Sequence, residues 1–152
     1  MFAGLREAGT DDILVLDCDL LFHPALLERF LLERPCAVLV DPESTKMPQV
    51  HLADGRVVGI GNKEGIGFYM GMLLMSGEMA HAAVGILARY YQKEYWEPLG
   101  ALFADFYVTP MTVGRYPAVN IDTQSDSLFA HRDIFPLVLE GLGIQEVRDA
   151  AL

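Results

Sequence analysis

The amino-acid sequence predicts an α/β fold, with three α/β/α layers around a mostly parallel mixed sheet. Short apolar runs alternate along the chain with amphipathic segments of helical period. The run Ile13–Leu16 leads directly into Asp17 and Asp19, which is typical of a buried parallel strand with a site at its carboxyl end. An Asp-Gly pair at 54–55, between two alternating runs, predicts an antiparallel hairpin in the same sheet.

Composition limits the class of protein and its partners. The chain has 152 residues, 52% hydrophobic and 21% charged, which predicts a single domain over 1–152 with its own core. The net charge of −10 argues against a nucleic-acid partner. No targeting segment or membrane-spanning run is evident, so we expect a cytoplasmic protein. Cys18 and Cys36 lie in apolar runs without metal-ligand spacing, which predicts buried free thiols.

The first part of the chain predicts a βαβ unit. Met1–Gly9 is expected to be the tail of a helix, and His23-Pro24 opens the next helix, since proline suits a first helical turn. That helix should end at Pro35, before a second buried strand over Cys36–Val40. Strand, helix and strand in this order predict a right-handed crossover between parallel strands.

The rest of the chain predicts further strands and helices. The strands Gln49–Leu52 and Arg56–Ile60 should form the hairpin, and Phe68–Met75 a long core strand. Ser76 should cap a helix over 77–92, with Leu87, Tyr90 and Tyr91 on its apolar face. The remaining predicted elements are a helix over Glu94–Ala104, strands over Phe106–Val113 and Ala118–Asp122, a helix from Gln124 capped by Thr123 or Asp122, and an apolar helix over Ile134–Leu142.

Two acidic strand ends, Asp17/Asp19 and Asn120/Asp122, stand about a hundred residues apart. If both strands lie in one sheet and run in the same direction, these side chains converge on one hard cation, Mg²⁺ or Mn²⁺. Such a cation would bind phosphate oxygens, as the metal ion does in enzymes that catalyse phosphoryl-type transfer. The alternative is that Asp17 and Asp19 only cap the strand end and its turn, since Asp-x-Asp is a common pattern.

Several segments, in order, resemble the sugar-phosphate and choline-phosphate nucleotidyltransferases, the MobA-like NTP-transferase group. The resemblance extends roughly from Asp12 to Ala130. The segments that carry it are Ile13–Phe22, Val40-Asp41-Pro42, the Asp54–Val57 hairpin, Ile60–Lys63, the strand 65–76 and Asn120–Ala130, which is similar to the closing motif Glu-Ile-Asp-Thr-x-x-Asp-Leu-x-x-Ala.

The resemblance implies a Rossmann-like, GT-A-like fold and a transferase that joins an NTP to a small phosphorylated or phosphonylated acceptor and releases pyrophosphate. It assigns Mg²⁺, with Mn²⁺ as the alternative, and the catalytic pair Asp19 and Asp122 as metal ligands. Asp17 and Asn120 would assist in binding the cation, with Asn120 standing where many relatives carry Glu. Lys63 matches a basic residue near the phosphates, although a solvated turn explains it equally well. CTP is favoured, with UTP, GTP and dTTP left open, and a homo-oligomer is compatible with this assignment.

One departure from the family pattern matters for function. The glycine-rich nucleotide-binding loop Leu-Ala-Ala-Gly-x-Gly-x-Arg is absent. The sequence is therefore expected to be the C-terminal two-thirds of such an enzyme, N-terminally incomplete, and to bind NTP poorly by itself. Two alternatives stay open. One is a glycosyltransferase that uses Asp17 and Asp19 with Mn²⁺ to bind a nucleotide sugar, and the other is a non-catalytic truncated or regulatory domain.

Overall fold

The computed structural model describes residues 11–33, 35–89 and 97–144. Eight strands lie in these ranges: β1 (Ile13–Leu16), β2 (Leu20–Phe22), β3 (Ala37–Asp41), β4 (Gln49–Ala53), β5 (Arg56–Gly61), β6 (Phe68–Met75), β7 (Thr109–Thr112) and β8 (Ala118–Asn120). The helices are α1 (Pro24–Phe30), α2 (Gly77–Arg89), α3 (Leu99–Asp105), α4 (Gln124–Phe129) and α5 (Phe135–Gly141), with a π-helical segment (Ala130–Ile134) between the last two.

The chain divides into two compact units. Unit 1 contains the chain up to Leu16 together with Glu33–Thr112, and unit 2 contains Asp17–Leu32 together with the chain from Val113. Unit 1 carries a six-stranded sheet, and unit 2 carries a two-stranded sheet of β2 and β8. None of the described helices has the length and apolar character that a membrane span requires.

Unit 1 is organised around β6. This strand pairs antiparallel with β1, β3 and β4, while β3 pairs parallel with β7 and β4 pairs antiparallel with β5. It follows that β1, β3, β4 and β7 run in one direction and β5 and β6 in the other. The α/β class and the mixed sheet predicted from the sequence are confirmed. The expectation of a mostly parallel sheet is wrong, because among the described strands only β3 and β7 pair parallel.

The strands β1 and β3 run in the same direction, as predicted, but they are not neighbours, because β6 lies between them. Leu16 pairs with Met72 on β6, and Ala37 of β3 pairs with Leu74 of the same strand. All eight residues of β6 are buried, whereas β1 is only half-buried and its Leu16 is 41% exposed. The longest uninterrupted apolar run thus takes the central position, where both faces are covered, and the shorter run lies beside it.

Helices α2 and α3 share a core with the sheet of unit 1. The apolar cluster joins residues at alternate positions of β3 and β6 to both helices; its largest fully buried members are Tyr69, Leu73, Met75, Met79, Leu99, Leu102 and Phe103. The predicted cap of α2 is confirmed, because the Met79 N–H donates to Ser76 Oγ (3.2 Å). The first turn is also held from outside the helix, since the Gly77 N–H donates to Asp12 Oδ1 (3.1 Å).

The two helices of unit 1 differ from the prediction at their ends. The described part of α2 ends at Arg89, so Tyr90, Tyr91 and the Leu87 side chain lie outside what the structure describes. The next helix begins at Leu99, directly after Pro98, and the start predicted at Glu94 also lies outside the described residues.

The predicted hairpin is confirmed at Asp54-Gly55. Both residues have positive φ, 52° and 77°, and Ala53 pairs with Arg56 across the turn. Positive φ at both central positions is the geometry of a type I′ turn, whose twist matches the strands that it joins.

Unit 2 packs short helices on the β2–β8 pair. Its apolar cluster consists of Val119 from β8 with Ala130, Ile134 and Val138 from the C-terminal helical run. The π-helical segment lies just before Pro136, and the Phe135 N–H donates to the Ala130 carbonyl, five residues back. A proline removes one helical N–H, and the wider π turn accommodates that loss without ending the helix.

A histidine caps the first helix of unit 2. The Ala25 N–H donates to His23 Nδ1 (3.1 Å), and the His23 N–H donates to the Pro117 carbonyl (2.9 Å). Helix α5 approaches this ring through Gly141, where a Cβ would lie 2.7 Å from His23 Nε2. Helix α1 begins at Pro24 as predicted but ends at Phe30, five residues before the predicted end at Pro35.

Candidate active site

Asp17 and Asp19 lie in a turn between two strands. The Leu20 N–H donates to the Asp17 carbonyl (3.4 Å), which closes this turn. Asp17 is half-buried and Asp19 is exposed. Aspartate is depleted in strands and enriched in turns, so the Asp-Cys-Asp triplet divides one apolar run into β1 and β2. The acids therefore follow β1, as predicted, and also precede a second strand that the sequence did not predict separately.

The β2–β8 pair brings the two acidic segments together. Leu20 pairs with Asn120, and one step further the Ile121 N–H donates to the Asp19 carbonyl (2.9 Å). The two strands are antiparallel, so the start of β2 lies beside the end of β8. We expected convergence through strands that run in the same direction. The structure brings the two segments together through antiparallel pairing instead, because an antiparallel neighbour places its end beside the other strand's beginning.

The buried side chain of Asn120 contacts the exposed carboxylate of Asp19. Asn120 is 7% exposed, and its Nδ2 donates to Asp19 Oδ1 at 3.4 Å, across 101 residues of sequence. A carboxylate at this buried position would place a second negative charge against Asp19, which raises the free energy of the ionised pair. The amide instead donates a hydrogen bond and leaves Asp19 exposed to a ligand.

Asp122 is exposed at the entry to α4, and its backbone is held by the capping box of that helix. The Asp122 N–H donates to Asp126 Oδ2 (3.2 Å), and the Thr123 N–H donates to the same oxygen (2.9 Å). In return, the Asp126 N–H donates to Thr123 Oγ1 (3.2 Å). Thr123 is therefore the cap, one of the two residues predicted. From the sequence, Asp126 is expected in the first turn of this helix, where its charge suits the helix dipole. Its bond to the Thr123 N–H was not predicted, although the spacing Thr-x-x-Asp is close to the capping-box pattern.

Lys63 lies in unit 1, whereas Asp17, Asp19, Asn120 and Asp122 lie in unit 2. It is exposed in the loop 62–66 that follows β5. That loop is anchored to β4, since the Gly65 N–H donates to the buried Gln49 Oε1 (2.7 Å) and the Ile66 N–H donates to the Val50 carbonyl (2.9 Å). The loop that carries Lys63 thus has a defined backbone course.

The oxygen donors of unit 2 suit a hard cation that is shared with a phosphate. Within the described ranges, no group of three or more His, Cys, Asp or Glu side chains could hold a metal ion by itself. Mg²⁺ commonly takes only one or two carboxylates from the protein and completes its shell with phosphate oxygens and water. The exposed carboxylates of Asp19 and Asp122 fit such a site, with the amide of Asn120 behind them.

The prediction that both thiols are buried is half wrong. Cys36 is 2% exposed, but Cys18 is exposed, because it lies in the turn between Asp17 and Asp19 rather than within a strand. The sequence has two cysteines, so Cys18 is a single reactive thiol placed beside the candidate ligands.

Comparisons with known proteins identify the fold. No family model matches the chain, and a search of curated proteins finds no significant relative. Among solved structures, the inositol-1-phosphate CTP transferase from T. maritima matches with a TM-score of 0.70 at 16% identity, over 92% of this chain and 61% of that one. The CTP:phosphocholine cytidylyltransferase from Streptococcus pneumoniae matches with a TM-score of 0.63 at 13% identity, over 84% of this chain and 58% of that one.

A third match is a UDP-glucose pyrophosphorylase from an Acinetobacter species, with a TM-score of 0.61 at 13% identity, over 94% of this chain and 59% of that one. The chain therefore spans less than two thirds of the length of these neighbours. At this level of identity the similarity establishes the fold. The chain has the Rossmann-like α/β fold that is found in these nucleotidyltransferases.

Proposed function

We propose that this chain belongs to a Mg²⁺-dependent nucleotidyltransferase that joins a nucleotide, with CTP favoured, to a small phosphorylated or phosphonylated acceptor and releases pyrophosphate. The observation that carries the proposal is the pairing of Asp19 with the end of β8, which unites two acidic segments 101 residues apart. The nucleotidyltransferase fold of the structural neighbours supports the same assignment.

In this proposal the acids of unit 2 hold the cation and the nearby groups orient them. Asp19 and Asp122 supply carboxylate oxygens, Asp17 assists from the same turn, and Asn120 keeps Asp19 in one orientation through its hydrogen bond. When bound, Mg²⁺ would contact phosphate oxygens and offset the charge that develops on them. The role of Lys63, as a cationic point charge for a phosphate, is proposed from the resemblance alone.

The choice of CTP and of a phosphorylated alcohol or amine as acceptor rests on the resemblance, and two of the solved neighbours are described as CTP enzymes. The glycine-rich loop that would grip the triphosphate is absent from this sequence. We therefore expect the isolated chain to bind Mg-CTP weakly. A micromolar dissociation constant measured by calorimetry would contradict that expectation.

The metal part of the proposal is tested without turnover. Mn²⁺ titration followed by electron paramagnetic resonance detects even millimolar binding, and we expect wild-type chain to bind one Mn²⁺ near Asp19. Asp19→Ala and Asp122→Ala should abolish this binding, while Asp54→Ala, at an exposed hairpin turn of unit 1, should leave it unchanged. Equal Mn²⁺ binding by Asp122→Ala and wild type would overturn the proposed site.

Cys18 provides a second readout that needs no catalytic activity. Because Cys36 is buried, maleimide modification of the folded chain reports on Cys18. We expect millimolar Mg-CTP to slow this modification in wild type and to have no effect in Asp19→Ala. Pyrophosphate release with each of the four nucleoside triphosphates and a panel of phosphorylated acceptors then tests the reaction itself. Protection that does not depend on Mg²⁺ would contradict the shared cation.

The glycosyltransferase alternative uses a different pair of carboxylates as metal ligands. It requires Asp17 and Asp19 together, whereas the nucleotidyltransferase requires Asp19 with Asp122. Loss of Mn²⁺ binding in Asp17→Ala, with Asp122→Ala tolerated, would favour it.

The alternative of a non-catalytic truncated or regulatory domain makes a different prediction about metal ions. A non-catalytic domain would be well folded, and its melting temperature would not rise when Mg²⁺ or Mn²⁺ is added. We expect such a rise in wild type, since a ligand that binds only the folded state stabilises it.

A further inference from the structure

We propose that Asp126 is a positioning residue for Asp122, acting on the backbone of that residue rather than on the cation. This inference rests on the proposed function, in which Asp122 is a metal ligand. Its basis is that one carboxylate oxygen, Asp126 Oδ2, accepts from both Asp122 and Thr123.

The hydrogen bonds fix the segment in which Asp122 lies. Asp126 Oδ2 accepts from the Asp122 N–H at 3.2 Å, the Thr123 N–H at 2.9 Å and the Thr123 hydroxyl at 2.9 Å. On the other side, Ile121 is tied to Asp19 by its own N–H. The backbone around Asp122 is thus held on one side by the β2–β8 pair and on the other side by Asp126, which fixes the direction of its Cα–Cβ bond.

A capping box alone does not require this arrangement. In the usual box the residue at the third helical position bonds to the N–H of the cap, and here that bond is Thr123 N–H to Asp126. The additional bond from the Asp122 N–H reaches one residue further back, to the proposed ligand itself. Partners that orient metal ligands in this way affect metal affinity although they do not touch the ion.

Thr123 gives a matched control, because it separates helix capping from the positioning of Asp122. Thr123→Val removes the hydroxyl that accepts from the Asp126 N–H, so the helix loses part of its cap. It also removes the bond from the Thr123 hydroxyl to Asp126 Oδ2, but it keeps both backbone N–H groups, of Asp122 and Thr123, that donate to that oxygen. Asp126→Ala removes the carboxylate that accepts from the Asp122 N–H and the Thr123 N–H, and it keeps the backbone N–H that donates to Thr123 Oγ1. Asp126→Asn retains an oxygen acceptor for the Asp122 N–H and loses the negative charge.

The test is Mn²⁺ binding by wild type and these three variants of the full chain, each checked for folding by circular dichroism. We expect Asp126→Ala to weaken Mn²⁺ binding by roughly 10- to 100-fold, the usual effect of losing such a partner. Thr123→Val should stay within about threefold of wild type, since a lost cap changes helix stability rather than the ligand. Asp126→Asn should restore most of the affinity that Asp126→Ala loses.

Two results would overturn the inference. Equal losses in Asp126→Ala and Thr123→Val would show that Asp126 matters only for the helix. Equal losses in Asp126→Asn and Asp126→Ala would show that its charge matters and its hydrogen bonds do not.

A separate measurement distinguishes failure of this inference from failure of the proposed function. The backbone amide of Asp122, observed by ¹⁵N NMR, should move upfield in Asp126→Ala and stay in place in Thr123→Val, with or without metal. If wild type binds no Mn²⁺ but the amide behaves in this way, the proposed metal site is wrong and the positioning stands. If the chemical shift of the Asp122 amide is the same in Asp126→Ala as in wild type, the positioning role of Asp126 is wrong, whether or not the chain binds metal.

Discussion

Gly65→Ala should destabilise unit 1 strongly, because the loop that carries Lys63 has no room for a side chain at this point. A Cβ at Gly65 would lie 2.3 Å from the Val50 carbonyl oxygen and 3.0 Å from its carbon. Carbon and oxygen atoms normally approach to about 3.3–3.6 Å, so the loop must move by about 1 Å. The backbone has to make this movement, because the added Cβ meets the backbone carbonyl of Val50 and not a flexible side chain.

The cost follows from the hydrogen bonds that this movement breaks. The loop is held by the bonds Gly65 N–H to Gln49 Oε1 (2.7 Å) and Ile66 N–H to the Val50 carbonyl (2.9 Å). Gln49 is 6% exposed, so its amide oxygen would be left in the core without its donor. A buried polar group that loses its partner costs about 1–3 kcal/mol, which gives about 2–6 kcal/mol for the two bonds of the loop.

The assay is urea unfolding followed by circular dichroism, with Gly85→Ala as the matched control. Gly85 lies in α2 of the same unit, and a Cβ there meets nothing within 4 Å. Because alanine is the better helix former, Gly85→Ala should stabilise the unit by about 0.5–1 kcal/mol. The same substitution is thus expected to act with opposite sign at two sites. A Gly65→Ala variant as stable as wild type would refute the account of the loop.

Three further outcomes are expected. His23→Ala should lower the free energy of unfolding of unit 2 by about 1 kcal/mol, measured by urea unfolding, since the first turn of α1 loses its side-chain acceptor; an unchanged value would contradict the capping role. Asn120→Asp should destabilise the metal-free chain at neutral pH, because a second carboxylate is buried against Asp19, and added Mn²⁺ should raise its melting temperature more than that of wild type; equal metal responses would contradict the assigned geometry. The hydrogen bonds from Arg132 lower the pKa of Asp133. The pair therefore stabilises the fold at pH values above the ordinary pKa of aspartate, and this contribution is lost as the pH falls through the lowered pKa. Asp133→Asn should therefore cause a small, salt-sensitive loss of stability at neutral pH that disappears in acid, and a loss that persists in acid would contradict the ion pair.

Local signals were sufficient for several elements. The bounds of β6, Phe68–Met75, follow from its uninterrupted apolar run and agree with the structure. The turn at Asp54-Gly55 and the cap at Thr123 were also predicted, since each depends on a few adjacent residues. These features are determined by side chains within four or five positions of one another, which is the range over which a sequence pattern acts directly.

The candidate site was predictable in its residues and not in its geometry. Asp19, Asn120 and Asp122 were all named from the sequence, and the structure brings Asp19 and Asn120 within hydrogen-bond distance. Whether Asp122 and Lys63 act with them stays a prediction.

The sequence by itself determined which residues are apolar, acidic or turn-forming, and hence the bounds of β6 and the position of the Asp54-Gly55 turn. Only the tertiary structure decided that β6 lies between β1 and β3, that β2 pairs antiparallel with β8, and that Cys18 is exposed. Each of these depends on which distant strand becomes a neighbour. That choice is made by the packing of the whole core, in which the most apolar strand takes the centre, and no short window of sequence contains this information.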